Sequence, residues 1–194
     1  MSEDEMIATF LRAEIDSARY GEKLGGLLAG AGHDPAVLRN PDLTNVRDNA
    51  FRRALLDEHR AYGRREGLFD GFPPDVEWFR AELSQDEVLD ILFIDWDWWL
   101  AISGGTRKPR DAARLIRAGQ IAGVDAAGHE DVAAALDRSG QPELIAVAAR
   151  AGAQLVLVEG HYRLTAYALF PEHLPDRLEV IVGLSERITG WWSY

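Results

Sequence analysis

The sequence predicts an α+β protein, an amino-terminal helical region packed on a small mixed β-sheet, on three observations. Apolar residues recur at helical spacing through most of residues 1–70. Past Pro73-Pro74 the pattern changes, and short runs of strand-forming residues alternate with helical segments. The chain of 194 residues, 47% apolar, is long enough to bury a core without a repeat or a low-complexity tract. The boundary is placed at the prolines, giving a helical region over 1–72 and an α+β core over 73–194.

Ser2 and Glu5 form a capping-box pattern, and Met6, Ile7, Phe10, Leu11 and Ile15 follow at helical spacing, which predicts a first helix ending near Gly21. A short helical turn is expected around Leu24 to Leu28. Gly30-Ala31-Gly32 and Asn40-Pro41-Asp42 then break the chain. A longer helix is expected from a Thr44 cap to about Glu66, with Val46, Ala50, Ala54, Leu55 and Tyr62 on its buried side. Val76 to Leu83 reads as a strand, and Ser84 to Glu87 as a capping box opening a short helix. Ile91 to Ile94 is a short apolar run. Pro109 to Ala118 and Glu130 to Arg138 read as helices, and Leu144 to Ala149 as a strand. The chain turns at Arg150 to Ala153 and returns as a buried strand over Gln154 to Val158. His161 to Phe170 is then helical, Leu178 to Val182 is a last strand, and Ser185 caps a final helix.

Charge divides the chain more sharply than any linker. The net charge of −11 comes from −3 over residues 1–70, −7 over 71–100, +4 over 101–118 and −5 over 119–194. Such acidity argues against nucleic acid as a partner, since that binding depends on neutralised phosphates. There is no cysteine, so disulfides, thiolate metal sites and a cysteine nucleophile are excluded. An acidic amino terminus and the lack of a long apolar stretch predict a cytoplasmic protein with no membrane span.

Chemistry concentrates in Val158-Glu159-Gly160-His161-Tyr162-Arg163-Leu164-Thr165-Ala166. A buried strand ends in an acid and a glycine, and a helix begins at once with Arg163 in its first turn. Glycine allows close backbone approach, first-turn N–H groups and the helix dipole favour an anion, and Arg163 can add a bidentate contact to phosphate. The same residues also describe an ordinary strand-to-helix turn with Arg163 paired to Glu159.

An acid-Gly-x-x-Arg-x-x-Ala segment opening a helix, with Pro142 to Val147 before it and Leu178 to Val182 after it, resembles the ParB/sulfiredoxin-like superfamily. That superfamily includes the ParB amino-terminal domain, sulfiredoxins and ADP-dependent serine kinases. The resemblance covers about residues 75–184 and is carried chiefly by those from 140 onward. It implies a bacterial-type nucleotide-binding core of ParB/sulfiredoxin type. Gly160 and Arg163 match the phosphate-contacting positions, Ala166 matches a small helix-packing position, and Tyr162 and Thr165 would line the nucleotide beside them. His161 stands where sulfiredoxins have their reactive cysteine, which excludes sulfinic-acid repair. ParB proteins carry glutamate and arginine at the His161 and Tyr162 positions, so their CTP switch is not closely matched. The serine kinases have aspartate at the Glu159 position and histidine at the Tyr162 position, leaving His161 one residue away.

A second candidate is Ser103-Gly104-Gly105-Thr106-Arg107-Lys108, a glycine loop with two cations before the Pro109 helix. Gly104, Gly105 and Thr106 could wrap phosphate through N–H groups while Arg107 and Lys108 compensate charge, although the spacing is not that of a Walker A loop. This loop and Arg163 are expected to share one concave pocket. Asp95-Trp96-Asp97-Trp98-Trp99 reads either as a stacking and metal-orienting cluster or as core packing with rim carboxylates. The histidines show no metal-ligand spacing, so no protein-held metal is expected. The resulting expectation is a nucleoside di- or triphosphate with Mg2+, with Glu159 or His161 as acid/base and phosphotransfer or hydrolysis as the activity. The acceptor is a small molecule or a protein, and a homo-oligomer is compatible with it. A non-enzymatic adapter on the same scaffold is the alternative, and a DNA-associated regulator the third reading.

Overall fold

The computed structural model describes residues 1–63, 67–124, 126–139 and 144–194, with residues 135–139 described by their backbone alone. The chain is α+β and divides into two compact units, Met1–Pro74 and Asp75–Tyr194. Among the described residues, no helix is long and apolar enough to cross a membrane.

The first unit is helical. Helix α1 spans Glu3–Ile15, and the Ser2 side chain accepts from the Glu5 N–H at its start. It stops before the expected Gly21 because Ser17 donates to the Glu14 carbonyl and accepts from the Tyr20 N–H, which turns the chain. Helix α2, Gly21–Gly30, is a full helix rather than one turn, with Leu24 and Leu28 buried. Its first residue must be glycine, since a Cβ there would stand 2.5 Å from the Ile15 carbonyl oxygen. A short helix α3, Ala36–Arg39, was not expected.

Helix α4, Val46–Arg60, is capped by Asn45 rather than Thr44, because Thr44 is held in a turn by Asp42. It ends at left-handed Ala61, short of the expected Glu66, which lies outside the described residues. Its buried face is Asn49, Arg52, Leu55, Leu56 and His59, whereas Val46, Ala50 and Ala54 are exposed. The expected face was displaced because Arg52, 1% exposed, satisfies its charge on the carbonyls of Val37 and Asp42 and on Asn49. An apolar-only pattern does not anticipate a buried cation.

The second unit builds a four-stranded sheet in the order β1-β4-β2-β3. Strand β1 is Glu77–Ser84, β2 Ile145–Ala148, β3 Val156–Glu159 and β4 Arg177–Leu184. β1 and β3 run antiparallel to their neighbours, while β2 and β4 are parallel. Hence the strands either side of Arg150 to Ala153 do pair. The expected strand residue Pro142 lies outside the described residues. Alternate residues of β4, Leu178, Val180 and Val182, join Ala146 and Leu157 in a core with side chains of α5, Gln85–Leu89, α7, Pro109–Arg117, and α9, His161–Leu169. The Ser84 to Glu87 capping box forms as expected. Helix α6, Asp97–Ile102, carries Trp98 and Trp99 and follows directly on Trp96, and α8, Ala127–Ser139, packs on α9. Ser185 caps a 3-10 helix, Glu186–Gly190.

Candidate functional site

Val156 to Val158 are buried strand residues, and β3 ends on Glu159 because Gly160 follows in a left-handed conformation at φ 104. Only glycine adopts this readily, and it lets the chain pass from strand to helix within one residue. The Leu164 N–H then donates to the Gly160 carbonyl at 2.8 Å and starts α9, with no side chain capping it. Arg163 reaches back to Glu159 at 3.0 Å, with side chains 16% and 17% exposed. Thr165 turns inward and donates to the His161 carbonyl at 2.8 Å, which places its hydroxyl in the helix rather than toward a ligand.

His161 and Tyr162 diverge. His161 is buried, its ring stacking on Trp99 at 4.7 Å and on Phe93 at 6.0 Å, and its Nε2 accepts from the Ile94 N–H at a long 3.5 Å. This packs the imidazole beneath the turn. Tyr162 is exposed and stacks on His129 of α8 at 4.1 Å. That pairing joins residues far apart in sequence and has no local signal.

The 103–108 loop meets the same region from the other side. Phe93 donates its N–H to the Arg107 carbonyl, and Arg107 Nε donates to the Phe93 carbonyl at 2.7 Å, so this loop holds the main chain of the residue whose ring stacks on His161. Two further Arg107 nitrogens donate to the main-chain oxygens of Ser193 and Tyr194. Burial lowers its pKa from the ordinary arginine value, with the charge of Asp95 opposing. The loop's own N–H groups are engaged: Gly104, Gly105 and Thr106 donate to carbonyls of Ala101, Leu100 and Ser103, Arg107 to Ser103 Oγ, and Lys108 to Thr106 Oγ1. Thr106 also donates to Asp111, which holds that carboxyl below its usual range. In this conformation the loop is an internally bonded brace.

Of the sequence-predicted residues, Glu159, Gly160 and Arg163 form the turn itself and Tyr162 stands exposed beside it. His161 and Arg107 form the layer beneath, joined through Phe93. Gly104, Gly105, Thr106 and Lys108 are exposed on the brace. In the tryptophan segment, Trp99 packs inward on His161, while Trp96 stacks on Trp192 at 5.5 Å and donates to Ser193 Oγ. Among the described residues, no group of His, Asp and Glu is arranged to hold a metal.

A groove of about 490 Å³ opens on the sheet, floored by Phe79, Leu83, Ala148, Leu155 and Val182 and flanked by Asp90 and Arg150. It lies by the β2–β3 turn, at the end of β3 away from Glu159, and neither Arg163 nor the 103–108 loop lines it. The shared concave pocket expected for those segments is therefore not this groove. Its sequence trace is the alternation of Phe79, Ala81 and Leu83 along β1, which the charge pattern obscured. Compared with known proteins, the chain matches no family model, no curated protein and no solved structure.

Proposed function

We propose that this chain is a cytoplasmic nucleotide-binding protein of ParB/sulfiredoxin type that holds a nucleoside di- or triphosphate at residues 159–163 and acts as a phosphotransferase or hydrolase. The observation that carries this reading is the turn: a strand ending in Glu159, a left-handed Gly160 without a side chain, and Arg163 in the first helical turn. Such a turn brings main chain close to a phosphate, points the helix dipole at it and adds a guanidinium fork. Glu159 and Arg163 neutralise each other without a ligand. With a nucleotide present, Arg163 turns its guanidinium to the phosphate oxygens, and Glu159 is released to hold or accept a proton from the attacking group.

Mg2+ carried on the phosphates would supply charge neutralisation there. One hard carboxylate fits that role, because Mg2+ commonly binds through one or two carboxylates and the phosphates themselves. Glu159 is the better acid/base than His161, whose ring is buried against Trp99 and whose Nε2 faces a main-chain N–H. The acceptor is a small molecule or a protein, and a homo-oligomeric assembly is compatible with this reading. The second reading, an interaction protein on the same scaffold, is favoured by the exposed Trp98 and Trp192.

A thermal-shift panel of nucleoside mono-, di- and triphosphates with Mg2+ tests the proposal. A phosphate-dependent rise in melting temperature for one of them supports it, and no rise at millimolar ligand favours the interaction protein.

A further inference from the structure

Tyr162 stands beside the proposed phosphate turn, and any role for it in ligand binding rests on that turn holding phosphate. The residue is 48% exposed, yet its ring is held in place. It stacks on the His129 ring with centroids 4.1 Å and planes 30° apart, and His129 is itself buried in α8. The phenol oxygen lies against Gly128, where an added Cβ would be in ordinary van der Waals contact with it at 3.4 Å. α8 and α9 pack against each other, so the pair of rings ties one helix to the other. An aromatic ring backed by a buried imidazole and still half exposed is a preorganised surface: a ligand stacking on it orders no loose side chain.

Tyr162 lies between His161 and Arg163 in the first turn of α9. A ligand whose phosphate sits at Gly160 and Arg163 has Tyr162 as the exposed aromatic residue of the same helical turn. We infer that Tyr162 is the stacking platform for an aromatic base, which makes the ligand a nucleoside phosphate rather than pyrophosphate or a sugar phosphate. Stacking is tolerant of base identity because every base has a π-face. The platform thus selects for the presence of a base, and other contacts choose among bases.

The test is calorimetric titration, with Mg2+, of ADP, pyrophosphate and ribose 5-phosphate into the wild type and into Tyr162→Phe, Tyr162→Leu and Tyr162→Ala, each checked by circular dichroism. ADP should bind the wild type about tenfold more tightly than pyrophosphate. Tyr162→Phe should keep that margin, while Tyr162→Leu and Tyr162→Ala should lose it with pyrophosphate binding unchanged. Leu retains bulk, so a folding defect confined to Tyr162→Ala leaves the comparison intact. Equal binding of ADP and pyrophosphate by the wild type, or equal weakening of both in Tyr162→Leu, overturns the platform and leaves the phosphate turn standing. If none of the three binds at millimolar concentration, the phosphate turn falls and the platform with it.

Discussion

Arg163 folds back one helical turn onto Glu159, and the 3.0 Å pair is largely shielded by the surrounding chain. The pair has two consequences. It gives the turn a stable arrangement without a ligand, and it places a carboxylate and a guanidinium beside the glycine at which the strand becomes a helix.

His161 should behave as a packing residue. Replacing it with alanine removes the stacks on Trp99 and Phe93 and should cost about 2–3 kcal/mol of stability. His161→Phe keeps the stacking and leaves the Ile94 N–H without its partner, a cost of about 1 kcal/mol. Denaturant unfolding measures both. Turnover in His161→Phe should stay within a few-fold of wild type, and a loss of several orders of magnitude would return the acid/base role to His161.

Acid should unfold the helical unit through Glu14. Burial alone would push this carboxyl up, but hydrogen bonds from His59 and Arg60 hold it below its ordinary value. A carboxyl depressed in the folded state contributes stability above its unfolded value, about 4.3. That contribution is lost as pH falls through the folded value. Glu14→Gln should therefore destabilise by about 3 kcal/mol at pH 7, with the difference from wild type shrinking below about pH 4.3. Urea midpoints over pH 7 to 3 read this out; a difference independent of pH would contradict it.

Two kinds of glycine in α2 should respond oppositely to alanine. At Gly21 the added Cβ meets the Ile15 carbonyl oxygen at 2.5 Å, so Gly21→Ala should lower the melting temperature. At Gly25 and Gly26 nothing lies within 4 Å, and each alanine should add up to about 1 kcal/mol by raising helix propensity.

Duplex DNA should bind weakly and be lost at physiological salt, because most of the basic block is already committed. Arg110 pairs with Asp86 and Arg114 with Asp111, Arg117 donates to the Ala168 and Leu169 carbonyls, and Arg107 is spent on main-chain oxygens. An affinity that survives 150 mM salt, measured by fluorescence anisotropy with a shallow dependence on salt, would move the DNA-associated reading forward.

Local signals in the sequence were reliable where a single residue dictates a backbone event. The Ser2 and Ser84 caps, Pro109 at a helix start and the Val156 to Gly160 strand and turn all act within a few residues. What stayed hidden depends on contacts between distant residues. The buried face of α4 follows from Arg52 finding oxygens on Val37 and Asp42. The partners of Arg107, namely Phe93, Ser193 and Tyr194, lie elsewhere in the chain and leave no local signal. Neither the stacking of Tyr162 on His129 nor the burial of His161 under Trp99 follows a helical or strand period.

The central claim is a phosphate site at residues 159–163, and its most direct test is calorimetry on wild type, Arg163→Ala and Glu159→Gln with the tightest-binding nucleotide and Mg2+, run beside a phosphate-release assay. Arg163→Ala should weaken binding by about 1.5–3 kcal/mol, the scale of a charge-assisted contact. Glu159→Gln should change affinity little and lower turnover far more. Wild-type protein that binds no nucleotide at millimolar concentration, or folded Arg163→Ala that binds as tightly as wild type, would contradict the account.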